Sequence, residues 1–266
     1  MLVDYLERGV LAGAIAGIAY GLYVMLVANP LVGYMEALAE GAGGAESGHE
    51  HAHAAEHAHT AGEHAHAAGE HAHAVGETTT AVVSIGSGVF WGILLGTAFA
   101  LAFYFLEPAL PGRGSVKGYV LAGAGFLAVS GAPWLVLPPT TPGAEQAYTP
   151  TIRIAIYGGL MLAGALIAAT AIYGYRRGST RSRPLGLCLA ALPIVALAAV
   201  TTLTAPTIVE SGAIPGELVT AFRGLTALSQ AALWVLVAGC FDRLQTRARA
   251  HSSTERRVDL TTSSRS

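Results

Sequence analysis

Hydrophobic residues run through this chain in long unbroken stretches, not along one face of a helix or at alternate positions of a strand. A helix that crosses a bilayer needs roughly 20 consecutive apolar residues. Six stretches meet that length, approximately 9–28, 81–106, 118–137, 152–175, 185–205 and 218–241. The fifth carries Pro193 within it and Pro206 at its end; a membrane helix tolerates proline where neighbouring groups take up the freed carbonyl. The alternation of a membrane β-barrel is absent. The pattern predicts an all-α integral membrane protein, a bundle of six transmembrane helices. The membrane domain spans residues 1–242 and a polar, basic tail spans 243–266, expected to begin as a helix and end disordered.

Composition agrees. Apolar residues make up 53% of the 266 and charged residues 12%, with a mean hydropathy of +0.51, whereas a soluble domain carries about a quarter charged residues. The N-terminal run has Arg8 as its only cation and exceeds the apolar core of a secretory signal, so it reads as the first span. Cys188 and Cys240 each sit inside an apolar run and read as small core residues.

The few charges fix an expected orientation. With six spans both termini share a side. That side receives Arg8, Arg113, Lys117, Arg176, Arg177, Arg181, Arg183, Arg243, Arg247, Arg249, Arg256, Arg257 and Arg265, and the other receives only Arg153 and Arg223. The positive-inside rule puts the thirteen in the cytoplasm, so the chain is expected to lie N-in and C-in in the cytoplasmic membrane. Glycine recurs every fourth residue at Gly9, Gly13, Gly17 and Gly21, and again at Gly88, Gly92 and Gly96. Such faces let two helix backbones approach closely, so spans one and two are expected to pack together.

Between those spans lies the most unusual stretch of the chain. An insert over about residues 36–80 is expected as a long flexible outer loop starting from about Asn29, and it contains the unit Glu-His-Ala-His at Glu50, Glu56, Glu63 and Glu70. Nine of the ten histidines are there: His49, His51, His53, His57, His59, His64, His66, His71 and His73. The last three units follow at a seven-residue period. Neutral imidazole is the common ligand of zinc, copper, nickel and cobalt. An extended His-x-His pair turns both rings the same way, and each preceding glutamate can serve as a further ligand or orient an imidazole. From Glu36 to Glu77 there are eight glutamates and no lysine or arginine, a field that concentrates cations. No fixed tetrahedral spacing is present, so the repeat points to several exchangeable ions rather than one structural site.

Candidates in the membrane part are sparse. Asn29, Glu145, Glu210, Glu217 and Arg223 lie near expected outer span ends. An intramembrane charge is a functional hypothesis by default, and Arg223 is the deepest, with Glu217 or Glu210 as its expected ion-pair partner. Thr201, Thr202 and Thr204 offer further oxygens. No phosphate-binding loop, zinc-protease helix or nucleophile elbow occurs, which argues against an enzyme and against a resident ATPase. Nothing suggests an organic cofactor or a nucleic-acid partner.

Three segments resemble one known family. They are RGVLAGAIAGIAYGLYVMLVANPLVGYMEALAE over residues 8–40, GAPWLVLPPTTPGAEQ over 131–146, and APTIVESGAIPGELVTAFRGLTALSQAALWVLVAG over 205–239. They are similar to the CbtA family of cobalt transporter subunits. The resemblance implies uptake of cobalt, and a small one-span, histidine-bearing partner of the CbtB type. The residues alone specify only a divalent transition metal; the resemblance puts cobalt first, with nickel or zinc as alternatives. The expected function is a membrane subunit for uptake of that ion, embedded in lipid and assembled with itself or with the one-span partner. The alternative is a non-conducting accessory or sensor protein that hands metal to a partner transporter.

Overall fold

A computed structural model describes residues 2–43, 77–142, 144–146, 148–204, 209–210 and 214–263. Its elements in chain order are α1 (Leu2–Tyr23), α2 (Asn29–Gly43), α3 (Glu77–Leu106), α4 (Ser115–Phe126), α5 (Ala132–Trp134), α6 (Pro150–Ser179), α7 (Arg183–Thr204) and α8 (Gly216–Ser263). Two-residue strands β1 (Glu145–Gln146) and β2 (Val209–Glu210) pair antiparallel. Single π-helical turns, Val24–Ala28 and Leu127–Gly131, join α1 to α2 and α4 to α5. Six helices are long and apolar enough to span a membrane: Leu2–Gly41, Thr79–Leu106, Ser115–Trp134, Pro150–Ser179, Arg183–Leu203 and Gly216–Ala250.

The first of these departs from expectation. The chain does not leave the helix at Asn29; it continues through α2 to Gly43, and α3 begins at Glu77. The reason lies in Pro30. A proline has no N–H, and its ring crowds the carbonyl four residues back, here that of Leu26. The helix widens by one residue ahead of the proline, so that the Asn29 N–H bonds the Val24 carbonyl, and then resumes. Pro133 does the same in the third span: the Ala132 N–H reaches back to the Leu127 carbonyl. The carbonyl that Pro133 displaces, that of Val129, accepts a hydrogen bond from the Tyr157 hydroxyl of α6. Pro193 sits inside α7 with the helix continuous around it.

Glycine dictates the closest helix pair. A methyl group on Gly17 would lie 2.6 Å from the Gly88 carbonyl oxygen, and one on Gly21 would lie 2.7 Å from the Ile85 Cα. Gly13 meets Gly92 in the same way, and Gly9 meets Gly96 together with the Ala100 methyl, so α1 and α3 approach backbone to backbone at four successive glycines. A second close pair joins α6 to α7, where Gly178 meets Gly186 and Gly174 meets the Leu189 carbonyl.

One core holds α1, α3, α4 and α8 together. It contains Ala12, Ala16, Leu95, Phe99, Phe103, Leu121, Leu233, Trp234, Val237 and Phe241. Gly125 gives the Trp234 ring its place, since any side chain there would overlap the indole. A small second cluster of Met35, Ile214 and Val219 packs α2 against the start of α8. Large apolar side chains such as Ile154, Leu162, Leu166, Leu192 and Leu203 point outward from α6 and α7, as expected where lipid is the solvent.

Candidate functional site

The bundle has two distinct ends. At one, Arg8 of α1 donates to the Gln245 side chain of α8 at 2.8 Å. There too the Tyr5 hydroxyl donates to Glu107 at 3.3 Å, Lys117 stands 3.6 Å from Glu107, and Arg176 donates to the Ala109 carbonyl at 3.1 Å. The start of α1, the end of α3, the start of α4, the end of α6 and the later turns of α8 therefore share this end. The opposite end carries α2, the β1–β2 pair and the first turns of α8. The stretch from 44 to 76 joins α2 to α3 at that opposite end.

The nine histidines of the repeat, with Glu50, Glu56, Glu63 and Glu70, lie outside the described residues. The remaining sequence candidates are within them. Asn29 donates its side-chain amide to the Ser84 hydroxyl at 2.8 Å, and Ser84 is buried, so this amide ties the start of α2 to α3. Glu145 and Glu210 are direct partners in the β1–β2 ladder. Glu217 is exposed in the first turn of α8, where a negative charge complements the helix dipole.

Arg223 and Glu217 do not form the expected ion pair. Six residues apart on one helix, they fall about 120° apart around its axis rather than on one face, which only positions three or four apart share. Arg223 is half-buried, and its Nε has no hydrogen-bond partner among the described residues. Thr201 and Thr202 turn their hydroxyls back onto carbonyls of their own helix, Leu197, Ala198 and Ala199.

From Arg223 inward, α8 presents Thr226, Gln230, Trp234, Phe241 and Gln245 at helical spacing. Gln230 donates its amide to the Tyr20 hydroxyl of α1 at 2.8 Å, a polar link between two of the apolar spans. Beyond it the stripe becomes aromatic. Phe241 meets Phe99 at 5.4 Å and Phe103 at 5.3 Å between ring centroids, both edge-on, and Tyr5 stacks on Phe103 at 6.3 Å. Such edge-on pairs gain beyond their area because ring edges and faces carry opposite partial charge. Past the aromatic cluster lies a cavity of about 250 Å³ that includes Glu107, Asp242 and Gln245 in its wall.

Tyr20, Gln230 and the aromatic cluster were not singled out by sequence. Gln230 offered a signal, as an amide in the middle of an apolar span. The aromatic cluster offered none, since its rings come from three separate helices. Among the described residues there is no group of three or more His, Cys, Asp or Glu side chains able to hold a metal ion.

An α-helical bundle with six apolar spans is the architecture of a multi-pass membrane protein. Residues 2–245 match the family model described as "Probable cobalt transporter subunit (CbtA)", and the chain belongs to that family. No curated protein and no solved structure gives a significant match.

Proposed function

We propose that this chain is a membrane subunit for uptake of a divalent transition-metal ion, with cobalt the leading substrate. The reading rests on the family and its helical membrane architecture. The observation that supports it further is where the two helix ends that flank the histidine repeat lie. The repeat is inserted between Gly43 and Glu77, at the same end as Arg223 and the paired Glu145 and Glu210. A collector of exchangeable imidazole and carboxylate ligands thus connects directly to the mouth of the bundle. The ion would pass inward along the polar side of α8, by Thr226 and the Gln230–Tyr20 pair, to the aromatic cluster, which acts as the closed gate. The arginine distribution supports a periplasmic or extracellular mouth. A one-span CbtB-type partner would complete the assembly.

Reconstituted vesicles containing the purified chain test this with radiolabelled cobalt. Inward flux, reduced when residues 48–77 are deleted and the free ion is scarce, is the expected result. Flux that needs a second subunit favours the accessory reading, in which this chain gathers metal and conducts nothing. Absence of flux for cobalt, nickel, zinc and copper, with the one-span partner present, overturns the proposal.

A further inference from the structure

At the end of the bundle that holds Arg8 and Gln245, the 250 Å³ cavity brings together features that call for an anionic ligand. Arg113, Lys117 and Arg249 contribute to its wall, against the two carboxylates Glu107 and Asp242. Glu107 is already engaged by Lys117 and by the Tyr5 hydroxyl. The loop before α4 curls through Gly112 and Gly114, both at positive φ, 97° and 56°, a backbone form that glycine adopts freely. This brings the N-terminus of α4 to the cavity without a side-chain cap. Its first turn is closed only by long 3.3 Å bonds from Val116 and Lys117 to the Arg113 and Gly114 carbonyls. A helix N-terminus with free N–H groups attracts phosphate.

Gln245 supplies an independent observation. It is 6% exposed, its carbonyl oxygen accepts from Arg8, and its amide nitrogen has no partner among the described residues. With the oxygen committed to Arg8, the nitrogen is fixed as a donor buried just behind a wall that holds three cations and two carboxylates, and an anionic oxygen reaching it would satisfy it. Next to this polar cavity lies an apolar groove of about 230 Å³, which shares Gly112 with it and is walled by Val116, Val120, Ala171, Ile172 and Tyr175. A third, larger apolar hollow of about 430 Å³ continues from Ile172.

We infer that this is a binding site for an anionic phospholipid. The phosphate sits among Arg113, Lys117, Arg249 and the Gln245 amide at the start of α4, and an acyl chain lies in the groove beside Val116. A soluble phosphate would satisfy the polar cavity, but the adjoining apolar groove favours a ligand with a hydrocarbon chain. Basic pockets between membrane helices are known to take such headgroups.

The test uses the full-length protein in detergent, titrated with phosphatidylglycerol, phosphatidylcholine or glycerol phosphate while its thermal unfolding is followed. Saturable stabilisation by phosphatidylglycerol alone is expected. The Arg113→Ala, Lys117→Gln double variant should weaken the apparent affinity by about fivefold for each cation removed. Val116→Trp, at a position 51% exposed, should abolish the effect by filling the groove. If the double variant fails to fold, Arg249→Gln carries the same expectation of about fivefold. Equal stabilisation by phosphatidylcholine, equal stabilisation by glycerol phosphate, or unchanged affinity in the folded variants would each overturn the inference.

Discussion

The hydroxyl of Tyr157 on α6 donates to the carbonyl of Val129, the acceptor that Pro133 deprives of its helical donor. One side chain thereby repairs in a neighbouring helix the defect that proline makes in the third span. Lipid offers no donor of its own for such a carbonyl, so the bond also fixes how α6 sits on the third span.

Tyr157→Phe should destabilise the protein by about 1 kcal/mol, the usual worth of an interhelical hydrogen bond in a membrane. In a Pro133→Ala background the residue at 133 regains an N–H for Val129, and the same change should cost little. Thermal unfolding of the four proteins in a double-mutant cycle measures this, and additive effects would contradict the repair.

The contact between α1 and α3 predicts opposite outcomes for two glycines of one span. Gly17→Ala would push a methyl into the Gly88 carbonyl and should cost about 1–3 kcal/mol as overpacking. Gly33→Ala meets nothing within 4 Å and should leave stability unchanged or raise it by up to about 1 kcal/mol through helix propensity. Comparing the two melting temperatures checks both.

Removing the Tyr20 acceptor leaves the Gln230 amide without its partner inside the bundle. Tyr20→Phe should cost about 1 kcal/mol of stability. If the ion passes this point, it should also lower uptake at saturating metal more than it changes the half-saturating concentration. Initial rates across a cobalt range separate these effects.

Uptake at scarce metal should fall as pH drops below about 6.5, the ordinary imidazole value. Histidine binds metal only when deprotonated, so protons compete from that point downward. Replacing the nine histidines from His49 to His73 by alanine should remove this pH dependence while leaving the melting temperature in place. A folded variant with an unaltered pH profile would take the repeat out of the transport reaction.

The spans were legible because lipid demands an uninterrupted apolar length, and that demand is local in sequence. The glycine contact was legible too, as a four-residue recurrence in each partner. α2 was not, because Asn29-Pro30 reads as a helix stop and Gly33, Glu36, Glu40 and Gly43 weaken the apolar run behind it. The π-turn that lets a helix continue past Pro30 and Pro133 is marked in sequence only by the proline itself, and Pro193 carries the same mark inside an uninterrupted α-helix. Within the site, Asn29 was found by its polarity at a span end, but its partner Ser84 is an ordinary small residue in span two. Of the two partners expected for Arg223, Glu217 is ruled out by helical phase, since closeness in sequence is not closeness around the axis, and the Glu210 side chain lies outside those described.

The glycine-lined contact of α1 and α3 also restricts how the protein can open. Across this seam the nearest atoms to Gly13, Gly17 and Gly21 are backbone, and at Gly9 the only nearby side-chain atom is the rigid Ala100 methyl, so no rotamer change can widen it, and parting it would strip the backbone contacts of all four glycines at once. The pair is a single rigid plank. On the proposed path, the motion that admits an ion would fall where side chains intervene, along the Tyr20–Gln230 link and the rings of Phe99, Phe103 and Phe241.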